Sequence, residues 1–226
     1  MVRLSYFLLF LLLVGCAPKE RNVDSLTTSE IYLIEKYSRM QRTFDHYLVQ
    51  TLESNNQLRK EIVEQAKGDT LLLRRVKQLD DQTRFVIKFL SFAKAYLYNN
   101  LGKEYDKQRA YLKQPYEVEK AEKYLIGDNK NGEGYNLEKK INAFFDFLNK
   151  EFKDFEPAGY VPLTKIEEGD PLSKDRIDLQ KRDFVEQKFK GMPVIGAMAV
   201  IGQMQLEILV YETQILNRIA QELPTN

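Results

Sequence analysis

The sequence predicts an all-α protein, a bundle of long helices built on an antiparallel helical hairpin. Three features predict it. Two apolar seams with alternating steps of three and four residues run through 34–62 and 72–97, the repeat that lets helices pack along their length. Only a short link through Gly68 separates them, which folds the second helix back along the first. No stretch is rich in the strict alternation of half-buried strands. The composition fits one globular domain with tails: 226 residues, 43% hydrophobic and 30% charged, which excludes a collagen-like, disordered or multi-span membrane chain. A net charge of +1 gives no long-range pull toward nucleic acid or anionic lipid. A single cysteine excludes an internal disulfide and a multi-cysteine zinc site.

Residues 1–15 read as a signal, not as fold. Arg3 is a minimal positive region, and 4–14 is apolar except for Ser5. That run is too short to span a hydrocarbon core of about 30 Å and has the form of a secretory signal. Leu13-Val14-Gly15-Cys16 resembles a bacterial lipobox: branched apolar residues, a small residue, then the cysteine to be lipidated. Cys16 is thus the expected lipidation site, with cleavage before it. Several acyl chains make a stable membrane anchor where one is marginal. Ala17 stands where an aspartate would retain an enteric lipoprotein at the inner membrane. The outer membrane, on its periplasmic face, is therefore the expected location. Residues 16–27 form the lipidated tether, of which 17–26 reaches at most about 35 Å.

The folded domain is expected over 28–226. Thr27 and Glu30 form a capping box, and a helix of about 58 Å follows over 28–66. Its seam is Ile34, Tyr37, Gln41, Phe44, Leu48, Thr51, Asn55, Leu58 and Ile62. Gly68 stops it and Asp69-Thr70 starts the next helix, 70–99. The second seam is cleaner: Leu72, Val76, Leu79, Thr83, Val86, Leu90, Ala93 and Leu97. Pro115 breaks the weaker pattern beyond Gly102, before a short helix at 117–125. Residues 127–134 read as a loop. A third long helix opens at Asn136 and runs to 153, with Leu137, Ile141, Phe144, Phe145, Leu148 and Phe152 on one face. A Pro- and Gly-rich stretch fills 154–173, and a short helix is expected near 174–188. The last helix starts at Pro193, which suits a first helical position, and ends near Leu223.

Few residues carry reactive chemistry. His46 is the only histidine, so no histidine pair exists for a metal or a nucleophile, and it reads as an ordinary helix residue. Asp80 and Asp81 are adjacent, point apart on a helix, and read as a solvated face. The 128–133 loop lacks the ligand ladder of a calcium site. No phosphate-binding glycine loop follows a strand. The expectation is therefore no catalytic residue, no metal and no cofactor. Tyr96, Tyr98, Tyr105, Tyr111, Tyr116 and Tyr124 cluster in the middle region. They read first as packing and second as a peptide- or glycan-binding surface.

The stretch Phe184-Val185-Glu186-Gln187-Lys188-Phe189-Lys190-Gly191-Met192-Pro193-Val194-Ile195-Gly196-Ala197 says most. It resembles the end of the N-terminal periplasmic domain of the GldM family, a component of gliding motility and type IX secretion. The shared pattern is a Phe-x-Gly turn, an aromatic residue or Met, then Pro leading into a long helix. Gly132-Glu133-Gly134-Tyr135 before an amphipathic helix is similar too, as is the first long helix pair. The resemblance covers about 28–222. It implies a helical domain, dimerisation, and a link to secretion or gliding machinery. Phe189, Gly191, Met192 and Pro193 are the expected structural turn, with Gly191 at positive φ and Phe189 and Met192 as an apolar plug. Family proteins begin with a transmembrane helix that engages a proton-driven motor, where this sequence has a lipoprotein signal. They also continue into β-rich domains, so neither the motor contact nor the outer-membrane contact is carried over. The function expected is a lipid-anchored, non-catalytic scaffold or adaptor. A lipoprotein binding a peptide or glycan through the aromatic middle region is the alternative.

Overall fold

Thr27 and Glu30 start the first helix as their spacing requires. The Thr27 hydroxyl accepts from the Glu30 amide at 3.3 Å, and Glu30 Oε2 accepts from the Thr27 amide at 2.8 Å. In this computed structural model the described residues are 25–66, 68–103, 105–106, 111–156, 159–164 and 183–223. Cys16, the tether up to residue 24, and 174–182 of the expected short helix lie outside the described residues.

Helix α1 is Thr28–Gln65 and α2 is Thr70–Tyr96. Asp69 caps α2 by accepting from the Leu72 amide at 2.9 Å. The second helix is expected to run to 99. Its α-helical part ends at Tyr96, and a π turn, Leu97–Leu101, carries the chain to Gly102. A two-residue ribbon follows, β1 (Tyr105–Asp106) against β2 (Tyr111–Leu112). Helix α3 is Val118–Leu125, α4 is Glu133–Glu151, α5 is Phe184–Phe189 and α6 is Val194–Glu222.

Two helix starts differ from expectation. Helix α4 opens at Glu133, three residues before Asn136, so 127–134 is not all loop. Gly134 sits buried in its first turn, where a Cβ would lie 2.6 Å from Leu125 O and 2.6 Å from Val185 Cγ1. This glycine lets α3, α4 and α5 approach one another; it does not break a helix. Pro193 is the N-cap of α6, with φ −67°, and not its first helical residue.

Side-chain pairs give the register of the bundle. Asp45 meets Lys94, Asn56 accepts from Arg84 at 3.2 Å, and Arg59 meets Asp80 at 3.1 Å. One index rises as the other falls, so α1 and α2 run antiparallel. Helix α6 runs parallel to α1: Tyr37 lies beside Gly196, Phe44 beside Gly202, and Asn55 bonds Leu209 and Glu212. It packs against both α1 and α2. Helix α4 runs antiparallel to α2, with Lys140 over Phe85 and Phe89, and Asp154, just past the end of α4, bonded to Arg75.

The core follows the seams. Val76, Leu79, Thr83, Val86, Leu90, Ala93 and Leu97 are all buried, the second seam as expected except for half-buried Leu72. The first seam is buried at Ile34, Asn55 and Ile62 and half-buried between them. Phe144 and Phe145 meet at 5.7 Å, and Phe145 packs edge-on to Tyr211 at 4.9 Å. Helix α6 is long and apolar enough to cross a membrane, with mean hydropathy 1.6, but 67% of that window is buried inside the bundle. It is the core helix, and its apolar character is spent on α1, α2 and α4.

Candidate functional site

The turn before α6 joins four segments. Asp183 caps α5 by accepting from the Glu186 amide at 2.9 Å. Phe184, Val185 and Phe189 then point into the core. Gly191 has φ +72°, the left-handed conformation expected of it. Its amide donates to the Glu122 carboxylate on α3. Met192 N donates back to Phe189 O at 3.1 Å, which closes the reversal. Pro193 is buried, and the Ile195 amide donates to Pro115 O at 3.2 Å. Met192 is half-buried and lies against Gly196, where a Cβ would sit 2.5 Å from its sulfur. The geometry is that of a clasp. It holds α3, α5, α6 and the segment after β2 together and offers no reactive group.

Next to it, Lys130 Nζ bridges Asp183 at 2.8 Å and Glu186 at 3.0 Å. Tyr135 donates its hydroxyl to Asp183 at 3.0 Å. Burial and that bond push the Tyr135 phenol up to about 12. Burial alone would raise Asp183, but Lys130, the Glu186 amide and Tyr135 hold it below the usual carboxylate range. Among the described residues no group of His, Cys, Asp and Glu could hold a metal. The 128–133 loop spends Lys130 on α5.

A second polar cluster lies inside the bundle. Glu212 is fully buried on α6. It accepts from Asn55 Nδ2 at 2.8 Å and pairs with Arg59. Asn55 also donates to Leu209 O at 3.2 Å and accepts from Thr213 at 2.7 Å. Arg59 reaches Asp80 at 3.1 Å, and Asp80 accepts from Arg84 at 2.7 Å. Asp80 is thus a half-buried partner, and only Asp81 is the exposed residue expected of the pair. Burial raises the Glu212 carboxyl above its ordinary range, while Arg59 and Asn55 pull it part of the way back. Such a cluster pins helix register, since an unpaired buried charge is strongly destabilising.

The sequence matches the GldM N-terminal domain over residues 33–222. The chain belongs to this family. The match covers both long seams, the Gly191 turn and all of α6. No curated protein matches the chain. GldM N-terminal domains belong to gliding-motility and type IX secretion machinery, where they act as non-enzymatic parts.

Within this GldM N-terminal domain, the predicted site residues fall as follows. Phe189, Gly191, Met192 and Pro193 come together in the clasp. His46 is exposed on α1. Of the middle tyrosines, Tyr98, Tyr116 and Tyr124 are half-buried against the core. Tyr96 is exposed and stacks on Tyr124 with ring centroids 4.1 Å apart. The aromatic surface lies instead on α2, where Phe85, Phe92 and Tyr96 are exposed and Phe89 is half-buried. The signal for it was present: 85, 89, 92 and 96 repeat the four-three-four step of the inner seam. A shallow uncharged groove lined by Gln50, Thr51, Ser54, Val210, Thr213 and Gln214 runs between α1 and α6.

Proposed function

We propose that this protein is a lipid-anchored, non-catalytic scaffold or adaptor working beside type IX secretion or gliding machinery through its GldM-type helical domain. The observation that carries the reading is the family match across 33–222. The bundle supports it, because its polar clusters are spent on holding helices together. Cys16 supplies the anchor, on the periplasmic face of the outer membrane. Dimerisation through the helical domain belongs to the same reading. Half-buried Tyr98, Tyr116 and Tyr124 leave the alternative, a ligand gripped by the middle tyrosines, with less surface to work with.

The test is mild crosslinking in living cells followed by purification of the full chain, beside a Cys16→Ser variant. Secretion or gliding components should co-purify with the native chain, and Cys16→Ser should lose both palmitate labelling and those partners. Labelling that survives Cys16→Ser ends the lipobox reading. Clean recovery of the chain without machinery components ends the adaptor reading.

A further inference from the structure

We propose that the outer face of α2 docks a single amphipathic helix of a partner protein, one with aliphatic anchors and acidic flanks. Phe85, Phe89, Phe92 and Tyr96 stand in one row down that face. Phe85 is 44% exposed, Phe92 60% and Tyr96 43%. With side chains of about 150–250 Å² each, the row exposes on the order of 300 Å² of aromatic surface. That matches the lower end of the largest apolar patch on an ordinary monomer, a patch that is often functional. It is well short of the roughly 800 Å² per partner of a standard stable interface, so it suits one helix better than a second copy of the domain.

The spacing says what kind of surface this is. Steps of four, three and four alternate between the two seam positions of a heptad. The inner seam of α2 uses one such row for the core, and the outer row repeats it toward solvent. A helix laid along it would set its own seam residues between the rings, as knobs in holes.

Charge selects the partner. Lys88 occupies a flanking position of the outer row and holds its ammonium 5.5 Å from the Phe92 ring. On the other flank, Lys140 of α4 lies 5.3 Å from the Phe85 ring and 5.0 Å from the Phe89 ring. Among the described residues neither ammonium forms an ion pair, in contrast with Lys94 and Lys130 on neighbouring surfaces. The row thus carries two ammonium groups against its rings, neither of them in an ion pair among the described residues. A second copy would bring these lysines against one another. A helix with carboxylates at its flanking positions would pair with both. The inference stands apart from the adaptor reading, since it assigns a surface and not a machine.

The test uses the full chain carrying Cys16→Ser and two labelled synthetic helical peptides. Both have Leu at the seam positions; one has Glu at every flanking position and the other Lys. Fluorescence anisotropy should show the Glu peptide binding at least tenfold tighter than the Lys peptide. Phe92→Ser should weaken it at least tenfold with the melting temperature unchanged, because Phe92 lies outside the core. Lys88→Glu with Lys140→Glu should reverse the preference between the peptides. Equal binding of both peptides, or no binding of the Glu peptide, overturns the proposal. So does self-association in sedimentation, or co-sedimentation with phosphatidylethanolamine–phosphatidylglycerol vesicles, that Phe92→Ser abolishes. Peptide binding that persists where no machinery is crosslinked would remove the adaptor reading and keep this surface.

Discussion

At Gly191 a Cβ would meet nothing within 4 Å, so the position tests backbone conformation alone. With φ at +72°, Gly191→Val should cost about 1–2 kcal/mol. Pro193→Ala should cost less, since alanine can adopt φ −67° and loses the proline's restriction of the unfolded chain and part of a buried ring, with no backbone strain. Denaturant unfolding of the two variants gives the order. Equal stability of Gly191→Val and the native chain would contradict the strain. Arg59 and Glu212 form the opposite kind of site, where neighbours decide everything. Arg59→Ala strands a buried carboxylate and should cost about 3–5 kcal/mol, whereas Glu212→Gln leaves Arg59 its Asp80 partner and should cost less. The pH dependence follows from the raised Glu212 carboxyl. Folding favours its protonated form, so its contribution is full below the unfolded carboxylate value and is lost as pH rises through the folded one. Urea midpoints from pH 4.5 to 7.5 should therefore fall less steeply in Glu212→Gln than in the native chain. Of this cluster the sequence shows only Asn55, as a polar break in the first seam. Its partner is 157 positions away, and no local pattern records which distant residue will face it.

The helices themselves were legible wherever a cap and a seam agreed. Thr27 with Glu30 set the start of α1, and Asp69 set the start of α2. Thr27→Ala should cost about 1 kcal/mol, since the Glu30 amide loses its hydroxyl acceptor while the backbone amide of residue 27 can still donate to the Glu30 carboxylate. Composition alone starts helix α4 three residues late, because Gly134 reads as a breaker. Its reason for being glycine is contact with Leu125 and Val185, which only tertiary structure reveals. Gly134→Val should accordingly cost about 1–3 kcal/mol by overpacking, a loss that thermal melting would register. If the variant melts with the native chain, the contact is not a close one. Helix α2 carries two rows of heptad spacing. Periodicity marks both as seams, and the inner one is recognisable by an aliphatic character broken only at Thr83. Nothing in the period tells that the aromatic row faces outward, because a buried and a docking row obey the same step.

As a whole the molecule is a set of long helices whose stability comes from packed faces. The purified chain should be strongly helical, and a chelator should leave its melting temperature unchanged. A marked drop with chelator would give the 128–133 loop a metal role after all. The all-α architecture was readable because helix seams are local and repeated. The path of the chain between α4 and α5 was not, since Pro and Gly mark irregular backbone without saying where it goes. The structure shows part of it: after α4 the chain turns back along that helix, with Tyr160 bonded to Asn149 and Thr164 to Asn142.

The parallel course of α1 and α6 has a mechanical meaning. Helix α1 begins at one pole, and α6 ends at the other, with the 38 residues of α1 spanning about 57 Å between. Tension applied between Thr28 and Glu222 would slide the two helices lengthwise. All the layers from Tyr37–Gly196 to Asn55–Glu212 would then resist in shear, and at once. Two antiparallel helices pulled from adjacent ends would instead peel open turn by turn. A load that entered the domain at Thr28 and left it at Glu222 would therefore fall on the whole α1–α6 interface together.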